Sequence, residues 1–422
     1  MALRIAHFVQ RYPPALGGSE AYFQRLSRYL QKAGHTVEVW TTNAIDLEAF
    51  WSGRGRITAA GEFDDAGVRV LRFACSRWPL RRYILKALSF LPGDTWKCMT
   101  MPCNPISFKM WHEAGRPSER FDVVHASAFP YAWPIICARR LARRCGAKFF
   151  ITPFLHLGRG DDKHNRGRRG YLAPHLQSLL RSADGIFVQT PTERDAVVAL
   201  GIGADKVILQ GMGVEPSECT GGDRVTPRRS WRVDDKTVVI GHLANLSHEK
   251  GTIDLLLAAE QLWKRGVEFH VVLAGPDMPN FRKFWKTYSH QDRVTICGVL
   301  DDKQKRDFFS GIDIFALPSR SDSFGLVLLE AWANGVPNVA YRAGGIADVI
   351  IDGQDGILVD CGDGNATGSA IANLSKSLSE LIASSEMRHR LGSCGRSRVL
   401  AEFRWPQKLK IVESLYSCGI GS

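Results

Sequence analysis

The residues best suited to chemistry lie in PSRSDSFGLVLLEAWANGVPNVAYRAGGIADVI at 318–350. A strand-like apolar run ends at Pro318, a polar turn follows, and the periodicity predicts a helix from about Ser323. The first turn of a helix leaves N–H groups without intrahelical partners and carries about half a positive charge. The amides of Phe324, Gly325 and Leu326 therefore suit a phosphate or sugar oxygen, and Gly325 lets a ligand approach the backbone. Two carboxylates flank this turn, Asp322 and Glu330, eight residues apart. Along a helix that is roughly 12 Å, beyond the about 5–9.5 Å at which paired carboxyl groups hydrolyse glycosides. It fits two ends of one extended ligand, such as the sugar and the ribose of a nucleotide-sugar. An N-cap Asp followed by a solvated helix Glu gives the same pattern, although Glu330 precedes Ala331-Trp332 in an otherwise apolar helix.

Such residues need a scaffold, and the patterning supplies one. Strand-like runs stand at 3–9, 36–42, 68–73, 122–126, 148–152 and 185–190, mostly separated by helical sequence. In 19–34, for example, Ala21, Phe23, Leu26 and Leu30 recur near helical spacing, with Gly34 placed as a C-terminal cap. After VILQ at 207–210 comes a Gly-, Pro- and Ser-rich linker. The alternation restarts with strands at 237–243, 269–275, 293–298, 313–318, 337–342 and 356–360. Two successive β/α series predict an α/β chain of two doubly wound, Rossmann-like parallel-sheet domains, over 1–215 and 216–403, facing a cleft. A final segment, 404–422, is interrupted at Trp405-Pro406 and is expected to send its helix back to the first domain.

Composition narrows the class. At 422 residues, with 45% hydrophobic and 23% charged residues, the chain is globular and neither disordered nor fibrous. Its apolar runs are far shorter than the roughly 20 residues that span a bilayer, and the start lacks the marks of a signal peptide. The ten cysteines are scattered without metal-ligand spacing and read as reduced thiols of a cytoplasmic protein. Residues 1–215 carry 30 Lys and Arg against 18 Asp and Glu, whereas 216–422 carry 25 of each. The excess positive charge belongs to the first half, which suits an anionic partner there or reflects an Arg-rich composition.

The motifs in series resemble a family 4 glycosyltransferase of the GT-B fold. The family pattern is Glu-x7-Glu, then A-x-G-x-P-V-V, then a Gly-Gly turn. Here Asp322-x7-Glu330 is followed by AWANGVPNVA and by Gly344-Gly345. The resemblance implies a retaining, metal-independent hexosyl transfer without a cofactor, from a nucleotide-diphosphate sugar to a saccharide or lipid-linked acceptor in glycan biosynthesis. It implies that Glu330 binds the donor ribose and that Asp322, shorter than the usual Glu, holds the transferred sugar with Phe324, Gly325 and Leu326 assisting. In ANLSHEKGTID, Lys250 matches the family's diphosphate lysine, whereas Asn245 stands where an Arg is common, so that another cation must compensate or turnover should fall. Val299 and Leu300 in CGVLDDKQ match a loop whose backbone pairs with the nucleotide base. Gly17-Gly18-Ser19-Glu20 matches a G-G-x-E loop, with Gly18 near donor phosphate and Gly17 towards the acceptor. On the acceptor side the resemblance offers His156, as the better candidate to touch the transferred sugar, together with His125 and Ser127.

The segment 78–98 combines Arg81, Arg82 and Lys86 with Trp78, Tyr83, Ile84 and Phe90. Such a basic, aromatic helix suits an anionic membrane surface, possible at the inner leaflet, or packs on its own domain. The polar loop 158–170 has the composition of an acceptor-gating lid. A catalytically weak nucleotide-sugar-binding or scaffolding protein of the same fold is the alternative reading. Nucleic acid is not expected as a partner, because the cations lack interleaved aromatic platforms.

Overall fold

Runs of four to seven β-branched and aromatic residues, apolar on both sides, can only be satisfied in sheets covered on both faces. The computed structural model describes residues 2–158, 166–362 and 367–418 and contains two such sheets. The first is built from β1 (Arg4–Phe8), β2 (Thr36–Thr42), β3 (Gly61–Asp65), β4 (Val68–Phe73), β5 (Val123–Ala126), β6 (Lys148–Ile151), β7 (Gly185–Val188) and β8 (Val207–Leu209). Its order is β3-β4-β2-β1-β5-β6-β7-β8, parallel throughout except for the β3–β4 hairpin. The second comprises β9 (Val239–Leu243), β10 (His270–Ala274), β11 (Val294–Ile296), β12 (Ile314–Leu317), β13 (Asn338–Tyr341) and β14 (Gly356–Val359). Its order is β11-β10-β9-β12-β13-β14, all parallel.

Both orders run outward in one direction and then reverse, between β1 and β5 in one sheet and between β9 and β12 in the other. Loops at the carboxyl ends of strands beside such a reversal are where doubly wound sheets bind ligands. In the second sheet those loops carry Lys250 after β9 and Asp322 after β12.

The chain groups into two units: Met1–Leu155, Arg166–Gln210 and Leu409–Ser422 form one, and His156–Asn165 with Gly211–Lys408 form the other. In the first, helix Gly18–Lys32 buries Tyr22, Phe23, Leu26 and Leu30 against its sheet; Ala21, expected on that face, is exposed and Tyr22 takes its place. Helix Trp405–Cys418 follows helix Ser385–Glu402 after a break at Phe403-Arg404. Within the first unit, Glu413 of that helix accepts a 2.7 Å hydrogen bond from Tyr29.

The second unit has a continuous core of Leu, Val, Ala and aromatic side chains between its helices and sheet. Trp332 is central to the helix that bears Glu330. Its indole donates to the Asp355 carbonyl at 2.8 Å, and helix Ser385–Glu402 passes so close that a Cβ on Gly395 would lie 2.1 Å from the ring. Only glycine fits there, and the contact fixes the rotation of the Glu330 helix.

Candidate active site

After β12 the chain turns through Pro318–Phe324 and enters helix Leu326–Ala333 at Gly325, which sits at φ +85. The helix thus begins three residues later than the periodicity predicted, so helical rise does not set the separation of Asp322 from Glu330. Gly325 is required here, since the left-handed backbone disfavours a side chain and a Cβ would press on Leu328 at 2.9 Å. The Phe324 ring is buried and packs edge-on against Phe403, anchoring the turn. The amides of Phe324, Gly325 and Leu326 have no hydrogen-bond partner among the described residues.

Glu330 lies on the half-buried face of this helix, with its side chain 16% exposed. Its Oε1 accepts a 2.6 Å bond from Lys305 Nζ, while Oε2 is buried without a partner among the described residues. Lys305 is held by helix Asp302–Gly311, whose start is fixed by a capping box between Asp301 and Gln304. A buried carboxylate oxygen left open beside unpaired amides is an acceptor waiting for a donor such as a hydroxyl.

Asp322 is engaged from three sides. Lys250 Nζ reaches its Oδ2 at 2.8 Å. Its carbonyl accepts from Gly345, and a Cβ on Gly344 would lie 2.3 Å from that oxygen, which explains the Gly-Gly turn. His156, hydrogen-bonded to the backbone of Ser321, is the third neighbour. Burial pushes the Asp322 carboxyl upward, but Lys250 and His156 outweigh it and hold it below its ordinary range. Burial lowers the His156 imidazole, against the pull of Asp322. Lys250 is positioned by Gly251, at φ +74, where a Cβ would fall 1.9 Å from the Pro318 carbonyl oxygen. The loops after β9 and β12 are therefore pressed together, bringing Lys250 onto Asp322.

Several expected residues have other surroundings. Asn245 is exposed. Arg320, on the turn after β12, spends its guanidinium on Asp254 at 2.5 Å and on the Cys361 carbonyl, and is structural. Val299 is exposed and Leu300 half-buried in the turn after β11, and their amides are unpaired among the described residues. In the first unit, Glu20 folds back over Gly17, where a Cβ would lie 2.2 Å from its Oε2, and accepts from Arg11 at 2.8 Å. Gly17 is thus needed by its own loop, whereas a Cβ on Gly18 would meet nothing within 4 Å.

His125 is a correction. It is wholly buried, as is Ser127. His125 shares hydrogen bonds with Tyr416 at 2.5 Å and Thr152 at 2.7 Å, and burial lowers its pKa far below the usual value. It is a neutral core histidine with no open nitrogen and does not face an acceptor, whereas Ser127 Oγ is buried without a partner among the described residues. Of the expected lid, residues 159–165 lie outside the described residues. Sequence reasoning missed Lys305, and also Glu193, a buried acid accepting from the amides of Leu155 at 2.8 Å and Gln189 at 2.7 Å just before His156. Burial raises Glu193 to about 7, despite those two bonds.

Two family models match in tandem: "glycosyl transferase 4-like domain" over residues 17–212 and "glycosyl transferases group 1" over 223–398. The chain belongs to the family 4-type glycosyltransferases. This glycosyltransferase is 26% identical over 273 residues to D-inositol 3-phosphate glycosyltransferase of Corynebacterium diphtheriae, covering 62% of this chain and 61% of that relative. It is 26% identical to the GDP-mannose-dependent alpha-(1-6)-phosphatidylinositol monomannoside mannosyltransferase of Mycobacterium tuberculosis, over 95% of both chains. HepE of Anabaena, solved with UDP-glucose, superposes with a TM-score of 0.68 at 16% identity, covering 98% of this chain and 100% of that one. The glycosyltransferase therefore has the GT-B fold. Among its described residues no group of three or more His, Cys, Asp or Glu side chains is placed to hold a metal ion, and no helix is long and apolar enough to cross a membrane.

Proposed function

We propose that this glycosyltransferase moves a hexosyl group from a nucleoside-diphosphate sugar to a hydroxyl of a saccharide or lipid-linked acceptor, with retention of anomeric configuration and without a metal. The observation that carries the reading is the open, buried Oε2 of Glu330 beside three unpaired amides. Glu330 accepts the ribose hydroxyls, and the backbone at Val299 and Leu300 meets the base. Lys250 and the amides of Phe324, Gly325 and Leu326 receive the diphosphate and sugar oxygens. Asp322, kept ionised by Lys250 and His156, accepts from hydroxyls of the transferred sugar, and Gly18 leaves its loop open to close approach.

The charge that develops on the departing diphosphate is stabilised by Lys250, which supplies electrostatic help without a proton. The acceptor oxygen bonds to the anomeric carbon on the face from which the diphosphate oxygen leaves. The hydroxyl proton passes to that phosphate oxygen, so the chain needs no base of its own. The donor is a substrate and no cofactor is consumed. Nine of the ten cysteines are free thiols, in keeping with a reducing, cytoplasmic setting.

The reading is supported by the donors named for two similar proteins, GDP-mannose and UDP-glucose. The test is a panel of UDP- and GDP-hexoses screened by thermal shift, followed by turnover with and without EDTA and anomeric analysis of the product by NMR. Stabilisation by one donor, EDTA-resistant turnover and a retained anomeric centre are expected. An inverted product or loss of activity in EDTA contradicts the mechanism.

A further inference from the structure

Helix Arg81–Leu88 and helix Asp94–Thr100 form a hairpin in the first unit, joined by the turn 89–93. The helix Arg81–Leu88 is anchored by Leu85 and Arg81, both buried, with Arg81 donating to the carbonyls of Pro102 and Asn104. The Trp96 indole bonds the Leu88 carbonyl at 2.7 Å and ties the two helices together. The apolar stripe of the first helix, at positions 80, 83, 84 and 87, is therefore not its core face. Leu80 is 69% exposed, Tyr83 72% and Ile84 44%, and in the turn Phe90 is 79% and Leu91 49% exposed. Leu80 also holds φ +55, a conformation unfavourable for a bulky L-residue, while its side chain stands in solvent.

Soluble proteins rarely leave so contiguous an apolar group uncovered. Around it stand Arg77, Arg82, Lys86 and Lys97, all exposed and without an ion-pair partner among the described residues; Asp94 is the one acid in 77–97. Apolar side chains rimmed by unpaired cations match the boundary of an anionic bilayer, where rings and aliphatic chains enter the acyl edge and Lys and Arg remain at the headgroups. We propose that this hairpin docks the enzyme reversibly on an anionic membrane surface, with Phe90 and Leu91 as the inserting tip. The same electrostatic sign runs through residues 1–215, which hold the whole net excess of positive charge. The inference does not depend on which donor is used, because docking is read without turnover.

The test is co-sedimentation of the full chain with phosphatidylcholine vesicles, with and without phosphatidylglycerol. Each cation near an anionic leaflet is worth roughly five-fold in partitioning, so anionic vesicles should bind at least about ten-fold more protein than neutral ones, and added salt should reverse this. Phe90→Ser with Leu91→Ser should reduce binding about ten-fold or more while leaving thermal stability unchanged, since neither side chain is in the core. Arg82→Glu with Lys86→Glu should abolish the preference for anionic vesicles. Wild-type protein left in solution with both vesicle types overturns the proposal, as does binding unchanged in both double variants. So does a concentration-dependent dimer, seen by light scattering, that Phe90→Ser with Leu91→Ser removes, because a second copy would then cover the patch.

Discussion

Replacing Lys305 by Met keeps the length of the side chain and removes the charge that holds Glu330. The pair is 2.6 Å apart, with side chains 33% and 16% exposed. At an effective dielectric constant near 20, this spacing gives a gross attraction of about 6 kcal/mol. Lost solvation and rotamer freedom offset most of it, and a hydrogen bond to a charged group nets about 1.5–3 kcal/mol. Less than that reaches the ligand. Without Lys305, the nucleotide itself must order the Glu330 side chain, at a cost of about 0.5–1.5 kcal/mol. The Kd of the preferred nucleoside diphosphate should therefore rise roughly 3- to 10-fold. Isothermal calorimetry with the ribonucleotide and its 2′-deoxy counterpart separates positioning from general damage. The wild-type enzyme should favour the ribonucleotide, Lys305→Met should lose much of that preference, and Lys305→Arg should restore it. An unchanged Kd together with an unchanged ribose preference in Lys305→Met would refute the reasoning.

Three further outcomes follow from the same geometry. Gly251→Ala places a Cβ against the Pro318 carbonyl in a left-handed backbone, and should cost at least about 2 kcal/mol in urea unfolding, with lower turnover because Lys250 shifts. Asp322→Asn should leave nucleoside diphosphate affinity within about three-fold, since Lys250 is released, while kcat falls on the order of 100-fold; an unchanged kcat would remove Asp322 from the sugar site. Glu193 has a folded-state pKa of about 7, above the ordinary 4.5, so the folded state binds its proton more tightly. Stability should fall as pH rises from about 4.5 to 7 and level off above, by on the order of 3 kcal/mol. Glu193→Gln, followed by melting temperature against pH, should flatten that slope, and a slope equal to wild type would locate the effect elsewhere.

Much of the fold was legible because buried parallel strands must be apolar on both faces. The runs at 36–42 and 68–73 coincide with β2 and β4 to the residue. β3 was not anticipated: GEFDD has no apolar alternation, and it exists as an exposed edge paired antiparallel with β4 through the turn at Ala66-Gly67. At the site, Asp322, Lys250, His156 and the Gly-Gly turn come together because each follows a strand or packs against a loop that does. The partners that set their chemistry are distant in sequence. Lys305 is 25 residues from Glu330, and Glu193 is 38 from Leu155. In DDKQKRDFF, Lys305 reads as a solvated helix residue, and only tertiary packing turns it onto Glu330. His125 misled for the opposite reason: the resemblance set it on the acceptor side, whereas Tyr416 and Thr152 satisfy it inside the core.

The direct trial of the donor site is calorimetric titration of Glu330→Ala with the nucleotide-sugar that stabilises the wild-type enzyme. Loss of binding by two orders of magnitude or so, with the melting temperature of the unliganded protein nearly unchanged, is the predicted result. Wild-type affinity in the variant would contradict the assignment of Glu330 to the ribose, and with it the placement of the donor on this turn.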